Sequence, residues 1–215
     1  MSEAPQTLQI DSWTLKVQPP QESTTGPIFL LIHGWTGDEN AMWVFASRLP
    51  QNAWMIAPRA PHPSPLGGYS WAKHKSGEWP WLADFRPSVE ALLDLLETLP
   101  EHIDVDVSKV NLVGFSQGGT LAYSLALLHP ERVAKVAGLA SFLPERCQEV
   151  ITKQPLAGTP IFVGHGTLDE LVPVEMAHQA VEGLRQAGAQ VSYCETEVGH
   201  KLGADCFNAL EAFFS

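Results

Sequence analysis

Ser116 sits in Gly114-Phe115-Ser116-Gln117-Gly118, a G-x-S-x-G pentapeptide. The apolar run "KVNLVGF" precedes it and an Ala/Leu-rich helical pattern follows, the strand and helix that such a motif requires. Glycines two residues before and after remove Cβ atoms where strand and helix crowd together. Ser116 can then take a strained backbone conformation, its hydroxyl above the sheet at the positive end of a helix. The glycines alone explain a tight turn and nothing more. A serine hydroxyl is a poor nucleophile at neutral pH and needs a base that a carboxylate orients. Later segments offer both, in that order. "IFVGHGTLDELVP" delivers Asp169 beyond one strand end, and "VSYCETEVGHKLG" delivers His200 beyond another. By themselves Asp169 is an acidic loop residue with Glu170 as a direct rival, and His200 a surface histidine. Their order and placement make them candidates for a triad.

Acyl transfer also needs two N–H donors for the oxyanion. One is the backbone amide of Gln117, the residue after the nucleophile; its side chain is given no role. The other comes from "LLIHGWTGDE", where a buried strand runs into His33-Gly34-Trp35. The Trp35 amide is the candidate, with Gly34 allowing close backbone approach. Without the serine motif this turn could pass for a phosphate-binding loop, but it is neither GxGxxG nor GxxxxGK[ST]. His33 reads as a hydrogen-bonded structural residue. Phe115, Trp71, Trp79, Leu171 and Val172 are candidate walls of a substrate pocket, chosen by their proximity to these motifs.

These residues must be carried by a repeating frame. Short, near-continuous apolar runs at 28–34, 54–58, 109–115, 133–141, 160–166 and 190–196 predict strands buried on both faces. Helical periodicity recurs over 86–99, 117–128, 174–186 and 204–214. The alternation predicts an α/β fold, with a mostly parallel sheet and helices on both faces. "LQIDSWTLKV" can add one or two antiparallel edge strands. Residues 59–85 are an irregular Pro/Gly/Trp-rich excursion holding Trp71, Trp79 and Trp81, three of the seven tryptophans. A loop of that length is usually functional or mobile. Its aromatics predict either a satellite cluster or the walls of a pocket.

The 215 residues fit one domain over 1–215. A net charge of −11 without a Lys/Arg cluster excludes nucleic acid and anionic membrane surfaces as partners. No apolar stretch is long enough for a transmembrane helix, and the N-terminus lacks signal-peptide regions, so a cytoplasmic location is expected. Cys147, Cys194 and Cys206 lack CxxC spacing and are expected to be reduced, structural thiols. The eight histidines show no metal-binding spacing, and no metal site is expected.

"LIHGWTGDE", "APRAPHPSPLGGYSW", "VNLVGFSQGGTLA", "FVGHGTLDELVPVEMA" and "VGHKLG" together resemble the phospholipase/carboxylesterase family of α/β-hydrolases. That family includes acyl-protein thioesterases and small bacterial carboxylesterases. The resemblance runs from about residue 28 to the end. It implies the α/β-hydrolase fold, Ser116, Asp169 and His200 as the triad, and the Trp35 and Gln117 amides as the oxyanion hole. It also implies hydrolysis of esters or thioesters of modest acyl groups without a cofactor, and in many members a homodimer. Two departures stand out. Many relatives have a Leu-Gly-Asp turn where this chain has Trp35-Thr36-Gly37-Asp38, so Trp35 is expected to narrow the acyl site. The chain is also short for an eight-stranded hydrolase, with little room for a lid domain. A carboxylesterase for small to medium acyl groups is therefore expected. An acyl-protein thioesterase or lysophospholipase is the alternative, and a catalytically silent binding module is the alternative of another class.

Overall fold

The computed structural model describes residues 4–21, 26–73 and 78–215. In chain order the elements are β1 (Gln6–Ile10), β2 (Trp13–Gln18), β3 (Ile28–Ile32), α1 (Trp43–Ala46), β4 (Trp54–Pro58), β5 (His62–Pro63), β6 (Tyr69–Ser70) and α2 (Leu82–Thr98). There follow β7 (Val110–Phe115), α3 (Gln117–Leu128), β8 (Val133–Leu139), α4 (Gln148–Ile151), β9 (Pro160–Gly166), α5 (Val174–Gln186), β10 (Gln190–Thr196) and α6 (Ala204–Phe214). Eight strands form one sheet in the order β1-β2-β4-β3-β7-β8-β9-β10, and β5 pairs with β6 in a separate hairpin. Pairing is parallel from β4 through to β10 and antiparallel for β1, β2 and β4.

The continuous apolar runs have a direct physical cause. Successive strand residues point to opposite faces, and both faces are covered. Ile28, Leu30 and Ile32 of β3 pack with α2, α3 and α5 in one core cluster. Phe29 and Leu31 pack into a second cluster with Phe45 of α1 and Leu210 and Phe214 of α6. Helices α3, α5 and α6 have the bounds that periodicity predicts. Helix α2 begins at Leu82 and not at 86. The chain enters the helix one turn before that periodicity begins, where the Asp84 carboxylate accepts the Trp81 N–H at 2.8 Å.

The 59–85 excursion is more ordered than its composition suggests, although 74–77 lie outside the described residues. It holds the β5–β6 hairpin and ends in the first turn of α2, with Leu82 N–H donating to Glu145 O at 2.8 Å. The cysteine expectation is overturned: Cys194 and Cys206 are joined in a disulfide, and only Cys147 is a free, buried thiol. The sequence separation of 12 carries no pairing signal. The bond exists because α6 packs back across β9 and β10, bringing its first turn onto the end of the edge strand.

Candidate active site

The site lies where the order of the sheet reverses. From β3 the chain crosses to β4 on one side, then returns past β3 to β7 on the other. At such a switch point, loops leaving the carboxyl ends of adjacent strands diverge and open a crevice. The loop after β3 supplies residues 34–38, and the turn after β7 supplies Ser116.

Ser116 links β7 directly to α3 with φ 53° and ψ −121°, a conformation that costs a non-glycine residue energy. Its N–H is held by Leu139 O at 2.8 Å. The flanking glycines are sterically required, since a Cβ on Gly114 would strike the Gly118 carbonyl and one on Gly118 the Ile32 carbonyl. Gly34 passes so close to the elbow that a Cβ there would lie 3.2 Å from that of Ser116.

Asp169 is fixed before it meets any base. Its Oδ1 accepts the Leu171 and Val172 N–H groups, each at 2.9 Å. Its Oδ2 accepts the Nδ1–H of His200 at 2.7 Å. With Nδ1 as donor, the neutral ring leaves Nε2 as the acceptor. Glu170, the rival carboxylate, is exposed to solvent. His200 is half-buried, and the Phe115 ring stands edge-on to it with centroids 5.0 Å apart. Gly166 is where the His200 loop crosses the end of β9; a Cβ there would collide with the Val198 and Gly199 carbonyls.

Loop 34–38 is strapped from outside. Thr36 N–H donates to Tyr69 O at 3.0 Å, and Tyr69 N–H to Gly37 O at 2.9 Å, tying it to the β5–β6 hairpin. Arg59 grips the largely buried Glu39 with two hydrogen bonds of 2.7 and 2.8 Å and also reaches the Tyr69 hydroxyl. The guanidinium holds the Glu39 carboxyl below its usual range and is itself raised by it. His33 accepts the Ala60 N–H on Nε2 at 3.0 Å and donates from Nδ1 to Gly34 O at 2.7 Å. Both ring nitrogens are occupied and burial pushes its pKa down, so it is a neutral structural residue.

One cleft of about 1140 Å³ gathers Ser116, His200, Trp35 and Gln117. The predicted walls Phe115, Trp79, Leu171 and Val172 line it as well. Trp71 does not. It is fully buried, with its indole N–H donating to His33 O at 2.8 Å. The Gln117 side chain also has a task that the motif gave no sign of: its Oε1 accepts the Trp71 N–H at 2.9 Å. It thereby ties the excursion to the elbow.

A sequence profile of the phospholipase/carboxylesterase family matches residues 14–215. The chain belongs to this family. Among curated members it is 32% identical to the acyl-protein thioesterase 1 of Debaryomyces hansenii over 106 residues, 48% of this chain and 45% of that one. That match thus spans less than half of the relative's length. A longer one, to the acyl-protein thioesterase 1 of Kluyveromyces lactis, is 26% identical and covers 77% of each chain. The Bacillus cereus carboxylesterase superposes with a TM-score of 0.83 at 19% identity, covering 95% of this chain and 94% of that one. Esterase PE8 does so at 0.80 and 23%, covering 92% and 95%. These likenesses show the α/β-hydrolase fold.

Against this family frame, the cleft has walls and a rim beyond the predicted ones. Val44, Leu66 and Leu171 line the cleft although 61%, 73% and 68% exposed, which makes its rim apolar. Phe142, which meets Trp79 edge-on with centroids 4.6 Å apart, forms another wall. Leu171 is a predicted wall; Val44 and Phe142 lie outside the motifs, and nothing in the motif that holds Leu66 marks it as a rim residue. Trp35 is part of the wall, but the space beside it is larger than many small-molecule pockets, about 300–1,000 Å³. His165, fully buried behind Asp169, donates from Nε2 to Val172 O at 2.8 Å and lies 3.5 Å from Asp169 Oδ2. Burial lowers its pKa. Among the described residues no group of three His, Cys, Asp or Glu side chains is placed to hold a metal ion.

Proposed function

We propose that the protein is a serine hydrolase that cleaves carboxylic esters of small to medium acyl groups through an acyl-enzyme. The observation that carries this reading is the 2.7 Å Asp169–His200 contact in the same cleft as a Ser116 held on a strained elbow. His200 Nε2 takes the Ser116 proton as Oγ attacks the carbonyl, and Asp169 stabilises the imidazolium. The Gln117 amide is the first of α3, where N–H groups lack intrahelical partners, and with the Trp35 amide it holds the oxyanion. His200 returns its proton to the leaving alkoxide, then activates the water that releases the acid. The apolar walls take the acyl group.

A thioesterase or lysophospholipase preference is the second reading, favoured by the cleft's volume and by its exposed apolar rim. A silent binding module would not require a buried carboxylate to orient the imidazole. Among the described residues no helix is long and apolar enough to cross a membrane, and a cytoplasmic location belongs to this proposal. A fluorophosphonate probe should label the wild type and spare Ser116→Ala; equal labelling refutes the assignment. A panel of p-nitrophenyl esters and matching thioesters of graded chain length separates the two readings. A sharp fall beyond medium chains supports the esterase, and rising kcat/KM on long-chain thioesters supports the alternative.

A further inference from the structure

The disulfide joins the two ends of the loop that carries His200. Cys194 lies two residues before the end of β10, and Cys206 in the first turn of α6. Everything between them is the loop, with short flanks of strand and helix. Apart from this bond the loop is held by Leu202, which is buried in the core, and by backbone bonds to the Asp169 loop. Strand β10 is the sheet's edge, paired to β9 alone and without a fully buried residue. Within the loop the backbone bonds are short-range, Val198 N–H to Thr196 O and Lys201 N–H to Gly199 O. Thr167 N–H to Thr196 O at 2.8 Å and Leu168 N–H to Val198 O at 3.0 Å tie it to the Asp169 loop. Helix α6 is anchored independently, by Leu210 and Phe214 in the core. The bond is a direct covalent tie between the β10 end and the α6 end of the loop, with His200 between them.

We propose that the Cys194–Cys206 disulfide positions His200 against Asp169, and that thiol–disulfide exchange at this bond sets the rate of hydrolysis. The inference rests on the triad reading for its effect on turnover. The exchange partner is a dithiol. Its thiolate attacks the sulfur of Cys194, a half-buried residue, where Cys206 is fully buried. The S–S bond breaks and Cys206 leaves as thiolate, on the third residue of α6, where the helix N-terminus stabilises negative charge. The dithiol's second thiolate then displaces Cys194 from the mixed disulfide. The dithiol ends oxidised to a cyclic disulfide, and the protein holds two thiols, having gained two electrons and two protons. Disulfides are rare in reducing compartments, and those present there are usually catalytic or redox-sensing.

The test compares the oxidised full-length protein with the same protein reduced by dithiothreitol, with new thiols counted by titration. Misplacing a catalytic group by about 1 Å can cost ~100-fold, so reduction should lower kcat on a p-nitrophenyl ester by about 10- to 100-fold with KM nearly unchanged. Reoxidation should restore it. A Cys194→Ser/Cys206→Ser double variant should show the low kcat without any thiol response, and Cys147→Ser should respond as wild type does. The downfield proton resonance of the His200 Nδ1–H, held by Asp169, should be sharp when oxidised and lost on reduction. That signal does not depend on turnover. If it responds while the oxidised protein shows no Ser116-dependent hydrolysis, the esterase reading fails and the positioning role stands. Unchanged kcat and resonance in the reduced protein or the double variant would overturn the proposal. So would loss of activity only in step with loss of the near-ultraviolet circular dichroism of the whole fold.

Discussion

Asp169 divides its work between its two oxygens. Oδ1 is spent on the Leu171 and Val172 amides, which set the carboxylate's orientation, while Oδ2 is left for His200. An asparagine there could keep the backbone contacts with its oxygen but would present an amide N–H to the imidazole. His200 must then accept on Nδ1 and carry its proton on Nε2, the tautomer that cannot take a proton from Ser116. Asp169→Asn should therefore lower kcat by about 10⁴-fold with little change in KM or melting temperature. Steady-state kinetics with thermal melts checks this, and a variant retaining wild-type kcat removes Asp169 from the mechanism.

Among elements, the loop after β3 shows how the backbone proposed to hold the oxyanion is fixed when it is not itself regular structure. Thr36, in this loop, has φ 66°, and it keeps that conformation because the β5–β6 hairpin hydrogen-bonds across it. Arg59 braces the loop through Glu39 and the hairpin through Tyr69. Lysine cannot reproduce this planar fork. Arg59→Lys should cost about 1–2 kcal/mol of stability, the value of one or two lost hydrogen bonds to a buried charge. It should also lower kcat by about 10-fold, less than the ~100- to 1,000-fold of a deleted oxyanion donor. Denaturant melts and kinetics on one ester read both. A stability loss without any change in kcat would limit Arg59 to folding.

For the molecule as a whole, the pH response follows from histidines inside it. His33 and His165 are held neutral by burial, with pKa values below the ordinary 6.5. Below that pH the unfolded chain protonates both rings while the folded protein does not. The unfolded state then binds more protons, so stability falls as pH drops below about 6.5. Urea midpoints measured between pH 7.5 and 5 should decline, and less steeply in His33→Gln. A flat profile would show that these rings are charged in the native state. The same global architecture explains the site's location. Reversal of strand order between β3 and β7 opens the crevice, and β9 and β10 deliver their loops to the same edge.

The frame and the candidate site are legible in the sequence because both are local in the chain. Two-fold alternation, helical periodicity and the glycines of the elbow act over a few residues, and Ser116, Asp169 and His200 follow in the required order at strand ends. Residue type and placement alone leave Glu170 as a rival to Asp169, which the family resemblance names; the fold buries Asp169 against His200 and leaves Glu170 exposed. Trp71 looked like its neighbour Trp79, yet one enters the core and the other the cleft, since side-chain direction depends on how the excursion folds back. The rim residues Val44 and Leu66 come from distant segments that meet only in space. The Cys194–Cys206 bond depends on how α6 crosses β10. Short-range sterics and hydrogen-bonding chemistry were written in the sequence itself; long-range packing decided what those residues face.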